Sequence, residues 1–167
     1  QKNIDVLAVT DHNQIEGALR LQRIAPFRVI VGEEVLSKEG EIIGLFLKKF
    51  IPSELSMRQT IREIKRQGGL VYLPHPFDTT TRKTAIEKNS LISNIDDIDI
   101  IEVFNGRTVK PWDNLKAEKF AKKKGKTICV GSDAHTKYEL GRNYIIMDNF
   151  SNQKGFFESL SHAKFRK

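Results

Sequence analysis

The segment ICVGSDAHTKYELG ends an apolar run in Gly-Ser and then sets Asp133 and His135 two residues apart. The same punctuation recurs in VLAVTDHNQ, where Asp11 and His12 follow an apolar run, and in GLVYLPHPF, where His75 does. Glu33 and Glu34 follow a further run, and Glu102 and Asn105 fall at the end of another. Imidazole and carboxylate groups together suit hard-to-borderline divalent ions such as zinc, manganese or iron. Several such groups can hold more than one ion, about 3.5–4 Å apart where two clamp a transferring phosphoryl group. A thiolate zinc site is excluded, because Cys129 is the single cysteine and lies inside the apolar TICV. Each residue alone also has a plainer reading. Asp11 can cap a helix beginning near Gln14, and His75, between two prolines, can brace a turn.

The elements that would position these groups are legible from hydrophobic patterning. Apolar runs suited to buried strands occur at Ile4–Val9, Val29–Val31, Ile42–Leu47, Leu70–Leu73, Ile98–Phe104, Thr127–Val130 and Tyr144–Met147. Several are continuous instead of alternating, as in strands covered on both faces. Helical spacing lies between many of them. Ser56 and Gln59 have capping-box spacing ahead of a face made by Met57, Ile61 and Ile64, and Gly68 closes that helix. Asn114–Lys124 ends at Gly125; Asn152–Ala163 sets Phe156, Phe157 and Leu160 on one face and carries His162, read as a surface or packing residue. Further helices are expected over Gln14–Arg23 and Ala85–Ser93. The link from Val29–Val31 to Ile42–Leu47, with Glu39-Gly40 as its turn, reads as an antiparallel hairpin. Strand and helix otherwise alternate, which predicts an α/β fold with a largely parallel sheet, and seven candidate strands favour a closed or nearly closed barrel. In such folds ligands gather beyond the carboxyl ends of strands, where the polar residues above are placed.

Bulk properties narrow the function. The 167 residues fit one domain with a real core. No apolar run is long enough for a membrane-spanning helix. The start, without Met and entering a strand at once, is expected to belong to a fragment whose natural beginning is absent. A lone cysteine fits a reducing, cytoplasmic setting. The net charge of +7, from 28 basic and 21 acidic residues, favours phosphorylated or polyanionic partners. Lys122, Lys123, Lys124 and Lys126 supply much of that excess at a helix end, where the dipole also favours them.

With AVTDHNQIEG, VGEEV, IIGLFL, GGLVYLPHPF, IEVFNGR and ICVGSDAH in this order, the chain resembles the PHP (polymerase and histidinol phosphatase) superfamily of metal-dependent phosphoesterases. The resemblance implies a distorted (β/α)7 TIM-like barrel, with residues 1–167 as a single PHP-type catalytic domain missing its first strand. It implies two or three divalent ions (Mn, Zn or Fe) held by His12, Glu34, His75, Asp133 and His135, with His75, Asp133 and His135 catalytic. Asp11, Glu33, Glu41 and Glu102 would support or replace ligands. Glu41 stands where many members have a histidine, and it can bind metal itself or hold a ligand imidazole. Arg107, Arg142 and Asn105 are the candidates for phosphate binding. The implied substrate is a nucleotide, a short nucleic acid or a small phosphorylated metabolite. The alternative is a PHP-like module that binds nucleic acid or protein without catalysis; the presence of all five ligand candidates weighs against it. Without the opening strand's ligands, the fragment alone is expected to be catalytically weak or inactive.

Overall fold

A computed structural model describes residues 4–80 and 82–167. The chain forms two compact units, one running to Leu73 and including Ile86–Ile98, the other comprising Pro74–Ala85 and Asp99–Lys167.

In the first unit, strand β1 (Val6–Val9) pairs in parallel with β2 (Arg28–Ser37), joined by helix α1 (Glu16–Ile24). Only the first part of β2 faces β1; from Gly32 onward β2 pairs antiparallel with β3 (Gly40–Leu45), and β3 pairs antiparallel with β4 (Leu70–Leu73). The predicted hairpin is therefore present, while the expectation of a largely parallel sheet needs correcting for this unit. Strands β3 and β4 are buried throughout and β2 nearly so, which accounts for their continuous apolar runs. Strand β1 is shorter than the apolar run suggests and only half-buried. A Cβ on Gly32 would sit 2.8 Å from the Gly44 carbonyl oxygen, so glycine lets β3 approach where β2 changes partner.

Helix α2 (Met57–Arg66) begins with the predicted capping box: Ser56 Oγ accepts the Gln59 N–H, and the Gln59 side chain accepts the Ser56 N–H at 3.0 Å. Its buried face is Met57, Thr60, Ile61 and Ile64. Helix α3 (Lys88–Ser93) and a 3-10 turn (Ile95–Asp97) complete the unit.

In the second unit, β5 (Ile100–Asn105) pairs in parallel with β6 (Thr127–Gly131) around helix α4 (Pro111–Lys124). Pro111 sits in the first turn of α4, so the helix starts ahead of the apolar periodicity; Gly125 closes it in the left-handed conformation, φ 61°. The register slips between Glu102 and Phe104, leaving one extra residue in β5. The seventh candidate strand does not continue the pattern: β7 (Tyr144–Ile146) pairs antiparallel with β8 (Lys164–Arg166), which was not foreseen. Helix α5 (Gln153–Leu160) lies between them under an Asn152 cap, and the exposed His162 falls beyond its end instead of within it.

Candidate metal centre

The first unit brings three of the singled-out residues together. The β1 chain runs past Val9 into Asp11 and His12, and His12 forms a parallel bridge with Glu34. Glu34 therefore sits in mid-strand, where β2 has passed from β1 to β3, and not after a strand end. Asn13 fixes this crossing: its N–H donates to the Glu34 carbonyl at 3.0 Å and its Oδ1 accepts the Leu36 N–H at 2.8 Å. Its φ of 50° is one that asparagine tolerates better than most residues. On β3, Glu41 lies opposite Leu36 while Glu34 lies opposite Ile43, so the two acids are diagonal neighbours on one face.

His12 Nδ1 is 3.7 Å from Glu34 Oε2 and 3.6 Å from Glu41 Oε1. One ligand atom from each of the three residues lies within 4.8 Å of the others. Glu34 and Glu41 are each only 6% exposed, whereas His12 opens the group to solvent. Two acids held side by side and nearly buried offer closely spaced oxygen donors. One imidazole nitrogen with two carboxylate oxygens is a donor set that zinc, manganese and iron accept. The residues fit a divalent ion, and Glu41 is part of the group although it stands where a histidine was expected.

Glu33 is not brought to His12. Strand alternation turns it to the opposite face, fully buried, with Oε2 accepting the Ile51 N–H at 3.0 Å and Oε1 without a hydrogen-bond partner. Burial dominates its titration and pushes the carboxyl up to about 7; the Ile51 bond opposes this and the Glu16 charge adds to it. Asp11 is exposed at the chain crossing, its carbonyl accepting the Glu34 N–H at 3.1 Å. The N-cap of helix α1 is Ile15, which makes no side-chain cap, and the Asp11 carboxylate lies against the first turn, where a Cβ on Gly17 would be 2.6 Å from its Oδ2.

The second unit assembles another polar cluster. The extra residue in β5 turns Glu102 and Asn105, three apart, toward one another: Asn105 Nδ2 donates to Glu102 Oε2 at 2.9 Å. Glu102 also accepts the His75 N–H at 2.8 Å, and Asn105 Nδ2 lies 3.2 Å from Asp133 Oδ2. His75 and Asp133 have φ of 26° and 49°, strained values for residues other than glycine and of the kind that concentrates at functional sites. His135 is exposed, with Nδ1 2.9 Å from the Asp133 carbonyl oxygen and 3.5 Å from Asp133 Oδ1. Glu139 secures this segment by accepting the His135 and Thr136 N–H groups at 2.8 and 2.9 Å; the His135 bond leads the causes that hold its carboxyl below the ordinary range.

Of the predicted phosphate-binding residues, Asn105 is engaged inside the cluster, its Oδ1 accepting the Arg107 N–H at 2.9 Å. Arg107 is half-exposed with Nη1 3.5 Å from Glu139 Oε1, and Arg142 is exposed. The sequence reading passed over Arg82, whose guanidinium donates to Asp133 Oδ2. It lies in TTTRK, a stretch without periodicity or a recognisable motif. Asn13 and Glu139 were also passed over. An asparagine directly after His12, and the Thr136–Glu139 spacing after His135, were the available signals.

Residues 111–165 match the family described as PHP-associated. The chain is 36% identical over 156 residues to the uncharacterized protein MJ0417 of Methanocaldococcus jannaschii, covering 92% of this chain and 62% of that protein. It is 42% identical over 108 residues to MJ1587, also uncharacterized and from the same organism, covering 63% of this chain and 60% of that protein. The chain thus spans about 60% of the length of the curated relatives it matches. Among solved structures, a two-domain protein of Bacteroides vulgatus containing a predicted PHP-like metal-dependent phosphoesterase superposes with a TM-score of 0.72 at 17% identity, over 99% of this chain and 56% of that one. PsfC of Pseudomonas syringae gives a TM-score of 0.70 at 16% identity, over 98% and 77%. These likenesses show the fold: the chain shares the architecture of the two solved structures, and the PHP-associated match covers residues 111–165.

Proposed function

We propose that the intact protein is a metal-dependent phosphoesterase that hydrolyses the phosphoester of a nucleotide, a short nucleic acid or a small phosphorylated metabolite. The observation that carries this reading is the convergence of His12, Glu34 and Glu41. A divalent ion held there supplies Lewis acidity toward a phosphoryl oxygen and toward water. The nearly buried Glu34 and Glu41 would offset its charge, and the half-exposed His12 would add an imidazole ligand.

Two or three ions are proposed in all, with His75, Asp133 and His135 as the further ligands and as the groups nearest the chemistry. Glu102 would set the His75 backbone, and Asn105 the Asp133 carboxylate, through the hydrogen bonds each makes. Arg107 and Arg142 are proposed to meet phosphate oxygens from the exposed side. The +7 charge supports an anionic substrate, and the single buried cysteine supports a reducing, cytoplasmic setting.

The test is a panel of phosphoesters, including a 3′,5′-nucleoside bisphosphate, a dinucleotide and a sugar phosphate, assayed with the full-length protein in Mn²⁺. Release of phosphate or nucleotide that disappears with chelator and with Glu34→Gln is expected. Turnover unaffected by both would reject the proposal.

A further inference from the structure

Arg82 is the cation at Asp133 in this structure. Its side chain is 15% exposed, and its guanidinium donates to Asp133 Oδ2 and has Asp78 Oδ2 3.6 Å from Nε. That second distance is too long for a hydrogen bond, and the buried Nε–H makes none. The side chain is therefore held between two acids while retaining donor capacity. Asp78 is 1% exposed, which fixes the anchor end of the arrangement. Asp133 is the more open acid, its side chain 12% exposed, and it also receives Asn105 Nδ2 on the oxygen that Arg82 uses.

If Asp133 holds a divalent ion, as the proposed function has it, that ion and the guanidinium are two cations claiming one carboxylate. Like charges at that separation repel strongly when solvent is largely excluded. A guanidinium released from Asp133 but still attracted by Asp78 stays beside the site. Its planar fork of N–H donors matches a phosphoryl group in a way that a lysine ammonium does not.

We propose that Arg82 is an exchangeable counter-cation: it holds Asp133 in the metal-free protein, yields that carboxylate to a divalent ion, and then donates to the phosphoryl oxygens of the bound anion. This inference rests on Asp133 being a metal ligand. It gives Arg82 opposite effects on two ligands, which a merely structural strut would not have.

The experiment measures Mn²⁺ binding by titration calorimetry, then inorganic phosphate binding to the Mn²⁺-saturated protein. The proteins are wild type, Arg82→Ala, Arg82→Lys, Asp133→Asn and the Asp133→Asn/Arg82→Ala double variant, each checked for folding by circular dichroism. Arg82→Ala should bind Mn²⁺ roughly tenfold more tightly and phosphate roughly tenfold more weakly, the scale of one charge-assisted contact. The tightening should vanish in the Asp133→Asn background. Should Arg82→Ala fail to fold, Arg82→Lys carries the test, since it keeps the charge but loses the fork; its phosphate affinity should fall several-fold. Mn²⁺ binding that depends on Asp133 but is unchanged or weakened in Arg82→Ala would overturn this inference alone, as would unchanged phosphate affinity in Arg82→Lys. Mn²⁺ binding indifferent to Asp133→Asn would overturn the ligand assignment and this inference with it.

Discussion

Replacing Glu33 by glutamine should flatten the pH dependence of stability in the metal-free protein. Glu33 is fully buried on β2, and its carboxyl is pushed up from 4.5 to about 7, chiefly because burial penalises the charged form. In the unfolded chain it returns to its ordinary value. Between those two pH values the folded state holds a proton that the unfolded state has released. The contribution is thus fully present below pH 4.5, declines as pH rises, and is lost above about 7. At 1.36 kcal/mol for each pH unit, that interval amounts to roughly 3 kcal/mol. Glu33→Gln keeps an oxygen to accept the Ile51 N–H and cannot ionise. Urea unfolding of both proteins at several pH values from 4.5 to 8, with chelator present, gives the two curves. All other titrating groups are shared, so the difference between the curves isolates Glu33. It should change by roughly 3 kcal/mol across the window, with the variant gaining on wild type as pH rises. Curves that stay parallel would refute the reasoning.

Three smaller perturbations test the local structure. Ser56→Ala removes one half of the capping box of α2 and should cost about 1 kcal/mol in urea unfolding. Gly125→Ala should cost about 1 kcal/mol from the left-handed φ of 61° alone, because an added Cβ there would meet no other atom within 4 Å. Glu139→Gln weakens the acceptor of the His135 and Thr136 amides, so their hydrogen exchange at neutral pH should accelerate by about tenfold. The difference from wild type should shrink as pH falls through the lowered carboxyl value, since protonation then weakens the same acceptor in both proteins.

Local chemistry was the most legible part of the sequence. The capping box of Ser56 and Gln59, the closing Gly125 and the β2–β3 hairpin, whose turn falls at Lys38-Glu39, one residue ahead of the expected Glu39-Gly40, are short-range features, decided by residues a few positions apart. The extent of β2 was not legible, because Gly32, Glu33 and Glu34 interrupt its apolar run where it exchanges one partner strand for another. That exchange also decides which of the two adjacent acids joins His12, and side-chain alternation then sends Glu33 into the core. The extra residue in β5 was equally hidden. It depends on pairing with β6, and it is what allows Glu102 and Asn105 to meet. Strand β7 looked like a sheet member from its composition, but its partner, Lys164–Arg166, is charged and short and gives no strand signal alone. Glu41 was recognised as a departure from the family pattern, and its place beside His12 is a consequence of β2–β3 register.

Mn²⁺ titration of metal-free wild type, Glu41→Gln and Glu34→Gln tests the metal centre most directly. Saturable binding in wild type, weakened by about tenfold or more when either carboxylate becomes an amide, is the predicted result. Binding of equal strength in all three proteins, or none in wild type, would contradict the assignment of His12, Glu34 and Glu41 as a cation site.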